Sequence, residues 1–221
     1  MSRWRALRLL LAHEGRWLAS LGMWVVRRQD GVGTRAPGVR AFRYARAQAP
    51  LMLGFAFVCL VETIGASFLL ADYPALHWIV LVLDVYTVLM AVGMHTAAVT
   101  RPHLLGPEGL RIRHGARLDA TVPVELIATV RRDLRFPTGK PPAGVLESAV
   151  AGQTSVTLEL SAPVTVVRRF LGRPEEVRTV RFHADDSRAA VTALREAVEA
   201  AREAVEATRE AGAAEPEPAA P

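Results

Sequence analysis

The chain has 221 residues, enough for one or two domains, and its net charge of +5 conceals four blocks of alternating sign. Residues 1–49 carry a net +8, residues 50–100 a net −3, residues 101–183 a net +5 and residues 184–221 a net −5. This order of basic, apolar, basic and acidic blocks excludes an ordinary soluble globular protein. The single cysteine, Cys59, allows no intrachain disulfide, so the sequence carries no sign of an oxidising compartment.

Residues 1–49 are predicted to form a basic amino-terminal arm and linker. Apolar residues recur at three- and four-residue spacing from Trp4 to Val25, and arginines lie between them, which predicts an amphipathic helix. We expect this helix to lie on an anionic inner leaflet, with packing on the rest of the protein as the alternative. The leucine run near the start is too short for a secretory signal peptide. A basic arm that leads directly into an apolar segment is not expected to bind nucleic acid.

Residues 50–100 contain two apolar segments, 51–71 and 75–99, that predict a two-helix transmembrane hairpin. Each segment has eleven Leu, Ile, Val or Phe residues, which together favour insertion by roughly 3 to 7 kcal/mol. One central acid opposes insertion by about 2.5 to 3.5 kcal/mol, so insertion is favourable or near neutral. Arginines precede the first segment and follow the second, whereas the connecting turn has none. The positive-inside rule therefore predicts a multi-pass protein of the inner (plasma) membrane with both termini in the cytoplasm.

Glu62 and Asp84 are the two acids within these segments. Each lies eleven residues from Tyr73 in the turn, so both are expected at similar depth on neighbouring helices. On the second helix, Asp84 lies on a stripe with His77, Val80, Thr87, Ala91 and Ala98, and on the first, Glu62 lies on a stripe with Phe55, Val58, Gly65 and Leu69. We therefore predict an intramembrane polar pair. Three alternatives stay open: a hydrogen bond that holds the hairpin together, a contact with polar groups of another subunit or membrane protein, and the binding of a cation or transfer of protons.

Beyond residue 100 the long apolar runs give way to short alternating segments, which predict strands. "LRIRHGARLDATV" predicts a hairpin turning at 114–116, "PVELI" one helical turn, and "ATVRRDLRF", "SVTLELSA", "VTVVRRF" and "VRTVRFHA" further strands. A helix capped by Asp185 or Asp186 follows, and residues 211–221 read as a disordered tail. Residues 105–210 are thus predicted to form an α+β cytoplasmic domain, a small antiparallel β-barrel capped by a carboxy-terminal helix.

A family resemblance rests on "RPHLLGPEGLRIRHGARLDATVPVELIATVRR", the later "VTLELSAPVTVV" and the terminal helix. Together with the hairpin, this arrangement resembles the bacterial pleckstrin-homology-like (PH-like) domains found beside two-helix membrane segments, over about residues 50–200. The resemblance implies a PH-like barrel and a membrane-attached binding or assembly module. It implies no catalytic residues. The use of 26 arginines against one lysine is also typical of a GC-rich bacterial genome.

The predicted function follows from these elements. Arg111, Arg113, Arg117 and Lys140 are candidate contacts for lipid headgroups or a protein partner, with a solvated basic face as the alternative. The sequence has no catalytic motif, metal-ligand spacing or phosphate-binding loop, so we expect neither an enzyme nor a cofactor. We expect an integral membrane protein whose cytoplasmic domain binds anionic inner-leaflet lipids, a protein partner or a second copy. The alternative is a subunit or regulator of a larger membrane complex engaged through Glu62 and Asp84.

Overall fold

The structure is a computed structural model that describes residues 15, 19–20, 22–26, 38–115, 117–167 and 174–213. Within the predicted arm, residues 22–25 are helical, and the rest of that prediction lies largely outside the described residues. The predicted disordered tail lies outside them from residue 214 onward, whereas 211–213 are still helical.

Two long helices form the predicted hairpin. Helix α1 spans Ala49–Leu69 and helix α2 spans Pro74–Thr100, with Pro50 and Pro74 in their first turns, where a missing N–H costs no hydrogen bond. Their most apolar 18-residue stretches have mean hydropathies of 1.9 and 2.0, and their large apolar side chains are mostly exposed. By length and composition, both helices could cross a membrane, which confirms the coarse prediction of two apolar spans.

The first sheet has four antiparallel strands in the order β1–β2–β3–β4, with bounds Arg40–Phe42, His103–Gly106, Gly109–His114 and Leu118–Val122. The β3–β4 pair is the hairpin that the sequence predicts. The tight β2–β3 turn depends on Gly109, because its φ is +113° and any side chain would collide with the Val122 carbonyl oxygen.

The second sheet has the order β5–β7–β8–β6, and its strands span Ile127–Arg135, Val145–Ser148, Thr154–Val167 and Pro174–Phe182 in chain order. β7 pairs antiparallel with β5 and β8, but β6 pairs parallel with β8. The prediction of an all-antiparallel arrangement is therefore wrong at this edge. The loop that follows β5 carries β6 to the far side of β8, and sequence periodicity does not encode that route.

Both sheets and one helix build a single hydrophobic core. Its buried side chains include Leu110 and Ile112 from the first sheet, Leu158 and Val180 from the second, and Leu194 from the last helix. Among the described residues the strands remain two separate sheets around this core, so the predicted closed barrel is wrong. A mixed helix and sheet domain is confirmed, whereas the PH-like fold remains a prediction.

The last helix, α3, spans Ser187–Ala213 and lies against β5. The Asp186 side chain accepts a hydrogen bond from the Ala189 N–H at 2.9 Å, which confirms the predicted cap. Two exposed arginines of α3 donate to carbonyl oxygens of β5: Arg195 to Val130 and Arg202 to Ala128, each at 3.0 Å. These bonds satisfy backbone acceptors at a sheet edge that would otherwise be open.

Besides β6, three strands differ from the sequence-based prediction: β1 and β2 were not predicted, and β7 was predicted as two strands. β1 lies in the predicted linker and β2 in the connector after α2, yet they pair with one another across the whole hairpin. β7 is one long strand where two were predicted, bent by a register shift between Glu159 and Val164. The predicted helical turn at "PVELI" is confirmed as a 3-10 helix, Val124–Leu126.

Candidate functional site

The segment between β1 and α1 is anchored by Tyr44, whose side chain is fully buried. Its hydroxyl oxygen accepts a hydrogen bond from the Gly115 N–H at 2.8 Å, and its ring stacks on His103 with a centroid distance of 4.6 Å. Burial raises the pKa of Tyr44 to about 12, although the bond from Gly115 opposes the shift, so the hydroxyl is neutral at ordinary pH. The chain that enters α1 is therefore fastened to the β3–β4 turn.

His103, the partner of Tyr44, is a neutral structural histidine. Its Nδ1 accepts from the Arg113 backbone N–H at 3.0 Å, so its Nε2 carries the proton and donates to the His183 carbonyl oxygen at 3.0 Å. Burial lowers the pKa of His103 to about 3. The ring also meets Phe182 edge to face, at 5.0 Å between centroids. These contacts tie β2, β3 and the end of β8 together.

The carboxy-terminal end of α2 packs against the same region. Ala97 and Ala98 are buried, and a methyl group at Gly115 would lie only 3.9 Å from the Ala97 methyl. Ala98 joins a small apolar cluster with Tyr44, Ala45 and Val150. Small residues on α2 let the β-sheet turns approach the helix closely. The entry to α1 and the exit from α2 are thus both packed on the α+β domain.

A cavity of about 700 Å³, here called the interfacial pocket, opens where these elements meet. Its apolar residues come from the start of α1, the end of α2 and the helical segment 22–25 of the amino-terminal arm. The polar groups are two arginines, a histidine, a threonine and an aspartate. The full lining consists of Trp24, Val25, Arg43, Ala45, Arg46, Ala49, His95, Ala98, Val99, Thr100 and Asp185.

Asp185 holds the loop that carries the two arginines of the pocket. Its backbone N–H donates to the Arg43 carbonyl oxygen at 2.8 Å, and its carboxylate oxygens accept from the Arg46 backbone N–H at 3.2 and 3.3 Å. Because Asp185 binds the backbone of Arg46, the two guanidinium groups remain exposed. Neither one forms an ion pair with another described residue. Sequence reasoning treated Arg43 and Arg46 only as flanking charge.

Two histidines lie in or next to the pocket: His95 lines it, and His183 contacts Asp185. Nδ1 of His95 is buried and has no hydrogen-bond partner among the described residues, so the pocket contains an unused polar atom. His183 lies behind Asp185, with 3.8 Å between its Nε2 and Oδ1 of the carboxylate. Burial lowers the pKa of His183, and the Asp185 charge opposes the shift.

The four predicted headgroup contacts have different surroundings. Arg111 makes a bidentate pair with Asp119, at 2.6 and 2.7 Å. Arg113 is only 2% exposed, with its Nε 4.0 Å from the same carboxylate, so its side chain lies inside the domain, and its predicted headgroup contact stays a prediction. Arg117 is exposed in the β3–β4 turn beside the end of α2, and Lys140 is exposed in the loop before β6. A buried guanidinium is costly without a partner of opposite charge, which explains why Arg113 lies close to the Asp119 carboxylate.

The two acids of the helices differ in burial. Asp84 lies on the predicted inner stripe of α2, half-buried, with Oδ2 buried and without a hydrogen-bond partner among the described residues. Glu62 is exposed, as are its predicted neighbours Phe55, Val58 and Leu69, so the predicted stripe is not the less exposed side of α1. The less exposed face of α1 consists of small and flexible side chains: Met52, Ala56, Cys59, Thr63, Ala66 and Ser67.

The choice of face on α1 has a physical explanation. Small side chains allow the two helices to pack closely, and the hydroxyls of Thr63 and Ser67 donate to the carbonyl oxygens of Cys59 and Thr63, at 2.8 and 2.9 Å. Both hydroxyl groups on that face are therefore satisfied within α1. Glu62 has no such local partner, and it lies on the opposite surface.

Comparisons with known protein families, curated proteins and solved structures find no match to this chain. The part of the chain that the structure describes contains no group of three His, Cys, Asp or Glu side chains that could hold a metal ion.

Proposed function

We propose that this chain is an integral protein of the bacterial inner membrane that binds anionic phospholipid headgroups in the interfacial pocket. In this proposal α1 and α2 cross the bilayer, and both termini and the α+β domain lie in the cytoplasm. The large apolar side chains that α1 and α2 expose support insertion, because the acyl chains of a bilayer would cover them. The arginines beside the ends of the two helices support this orientation.

The depth of the pocket supports a lipid ligand. Ala49 begins α1 and Thr100 ends α2, so in an inserted hairpin both mark the boundary between acyl chains and headgroups. A phospholipid presents a negative phosphate next to apolar chains at that same boundary. The apolar residues of the pocket fit the chains, and the two guanidiniums fit the phosphate, which arginine binds with paired N–H donors.

The observation that carries the proposal is the pair of exposed guanidiniums on a fixed loop. Arg43 and Arg46 flank the buried Tyr44, and Asp185 holds the backbone of both. The loop is therefore ordered before any ligand arrives, which lowers the entropic cost of binding. A basic side chain near an anionic bilayer surface contributes about 1 kcal/mol, so the pair should contribute about 2 kcal/mol.

The test uses the full chain purified in a neutral detergent, with its unfolding temperature measured as phosphatidylglycerol or phosphatidylcholine is added. We expect phosphatidylglycerol to raise the unfolding temperature more than phosphatidylcholine does, and the Arg43→Gln/Arg46→Gln variant to lose that difference. Arg178→Gln/Arg188→Gln is the matched control, because it removes the same charge from exposed positions outside the pocket. Equal losses in both variants would mean that net charge, and not the pocket, governs the lipid effect.

One observation favours a second candidate function, that of a subunit in a larger membrane complex. Glu62 lies exposed on α1, and a methyl group at Gly54 or Gly65 on the same side would meet no atom within 4 Å. An acid beside small residues on a membrane-facing surface is suited to a partner helix with a hydrogen-bonding or basic group. A photocrosslinker at Val58 should then yield one product of defined mass that Glu62→Leu abolishes, whereas a product that survives Glu62→Leu would contradict this candidate.

A further inference from the structure

The end of β5 carries two large apolar side chains that the core does not use. Leu134 is 60% exposed and Phe136 is 67% exposed, and they lie two residues apart at the point where β5 ends. We call this pair the apolar tip. Among the large hydrophobic residues of the described α+β domain these are the most exposed, because the others in that category, Val167 and Val205, are each 49% exposed. Folding alone gives no reason for this exposure.

The strand register places the apolar tip at the end of the domain that adjoins α2. Arg135, between the two apolar residues, pairs with Thr154 at the start of β7. The residue before Thr154, Gln153, exchanges two backbone hydrogen bonds with Val150, and Val150 packs in a cluster with Ala98 near the end of α2. The opposite ends of the strands, such as Val167 paired with Pro174, lie far from α2 along the sheet.

The charges around the apolar tip are basic. Arg132 is exposed two residues before Leu134, and Lys140 is exposed four residues after Phe136. The only acid in this segment, Asp133, forms an ion pair with Arg135. The hydrogen bond from Arg135 is the main cause of the lowered pKa of Asp133, so the carboxylate is ionised and its negative charge is balanced by the arginine. Exposed apolar side chains between cations are the composition of segments that rest in the interface of an anionic bilayer.

We propose that the apolar tip docks into the headgroup region of the same bilayer, as a second attachment of the domain besides the hairpin. The Leu134 and Phe136 side chains would enter the acyl boundary, while Arg132 and Lys140 would contact anionic headgroups. This inference depends on the proposed insertion of α1 and α2, but not on lipid binding in the interfacial pocket. The proposal places Lys140 at the lipid surface because Lys140 lies in the same loop, four residues after Phe136.

The test uses the full chain in nanodiscs made of phosphatidylcholine with phosphatidylglycerol. In a Cys59→Ala background, Phe136→Cys carries an environment-sensitive fluorophore, and Val167→Cys carries the same label as the control at the far end of the sheet. We expect the label at position 136 to emit at shorter wavelength and to be quenched by lipids that carry a nitroxide near the headgroup. The label at position 167 should show neither effect.

A second measurement uses the natural side chains. Hydrogen exchange in nanodiscs should be slower at residues 134–136 in the wild type than in Leu134→Ser/Phe136→Ser, while residues 175–178 should exchange equally in both. If position 136 is as unquenched as position 167 and exchange at 134–136 does not differ, the inference is wrong, and a protein partner becomes the occupant to consider. Loss of the phosphatidylglycerol effect in Arg43→Gln/Arg46→Gln is a separate result, because the quenching at position 136 should persist in that variant.

Discussion

Replacing Tyr44 by phenylalanine removes a single oxygen atom from the junction between the hairpin and the α+β domain. The hydroxyl accepts from the Gly115 N–H at 2.8 Å, and the ring stacks on His103. Phenylalanine keeps the ring and its stacking, so the variant isolates the hydrogen bond. Tyr44→Ala removes both and leaves a cavity in a fully buried position.

The magnitudes follow from burial. Gly115 is only half-buried, so water can partly replace the lost acceptor, and Tyr44→Phe should lower the free energy of unfolding by about 1 kcal/mol. Tyr44→Ala also loses the buried ring and should lower it by about 3 to 5 kcal/mol. For a chain of this size, 1 kcal/mol corresponds to a fall of about 2 to 4 °C in the unfolding temperature.

The assay is thermal unfolding of the purified full chain in a neutral detergent, combined with hydrogen exchange at residue 115. Tyr73→Phe is the matched control, because Tyr73 lies in the turn between α1 and α2 with its side chain 64% exposed. We expect Tyr73→Phe to change the free energy of unfolding by less than about 0.5 kcal/mol. Exchange at Gly115 should become faster in Tyr44→Phe alone.

A Tyr44→Phe variant with the unfolding temperature of Tyr73→Phe and an unchanged exchange rate at Gly115 would refute this reasoning. In that case the hydroxyl would not fasten the entry of α1 to the β3–β4 turn. The ordered loop that presents Arg43 and Arg46 would then lose one of its two supports, the other being Asp185.

Two further changes test the buried histidine and the inner acid. Folding lowers the pKa of His103 to about 3 because the folded protein buries the neutral ring. The stability that this neutral ring contributes is fully present above the unfolded pKa near 6.5, and it is lost as pH falls toward 3. Between pH 7 and pH 4.5 the wild type should therefore lose about 2 to 3 kcal/mol more stability than His103→Gln does in the same denaturant titrations, and equal losses would contradict the assigned burial. Replacing Asp84 by leucine should make membrane insertion of α2 more favourable by about 3 kcal/mol, measured as the inserted fraction in a translocon assay, and an unchanged fraction would argue against α2 as a membrane span.

The helices were the most predictable elements, because their signals are local. The predicted segments 51–71 and 75–99 differ from Ala49–Leu69 and Pro74–Thr100 by two residues or fewer at each end. Hydrophobicity over about 20 residues is read directly from composition. The start of α3 was equally accessible, because a capping aspartate precedes an amphipathic repeat.

The strands that were not predicted depend on partners distant in sequence. β1 has three residues, and it is a strand only because Arg40, Ala41 and Phe42 pair with residues 103–105 on the other side of the hairpin. β6 has four residues, and it pairs parallel with β8, whose other edge is already paired with β7. A short segment without a turn beside it carries no periodic signal of such pairing.

In the candidate site, too, the features that depend on residues distant in sequence were not predicted. Sequence reasoning selected the basic residues of the β3–β4 hairpin, yet Arg111 and Arg113 are used by Asp119 within the domain. Arg43 and Arg46 form the pocket instead, and their proximity to Thr100 arises from tertiary packing. Glu62 is predicted on the inner face because Gly65 and Ala66 lie within one turn of it and small residues let helices approach closely. The less exposed side of α1 includes Ala66 but not Gly65 or Glu62.

The claim on which the account depends is that the chain crosses the bilayer twice and keeps its α+β domain on the cytoplasmic side. In a Cys59→Ala background, Tyr73→Cys samples the turn between the two long helices and Arg117→Cys samples the domain, both at exposed positions. In sealed right-side-out membrane vesicles, an impermeant maleimide should modify position 73 at once and position 117 only after the vesicles are permeabilised. Modification of both positions in sealed vesicles, or of position 117 alone, would contradict the account.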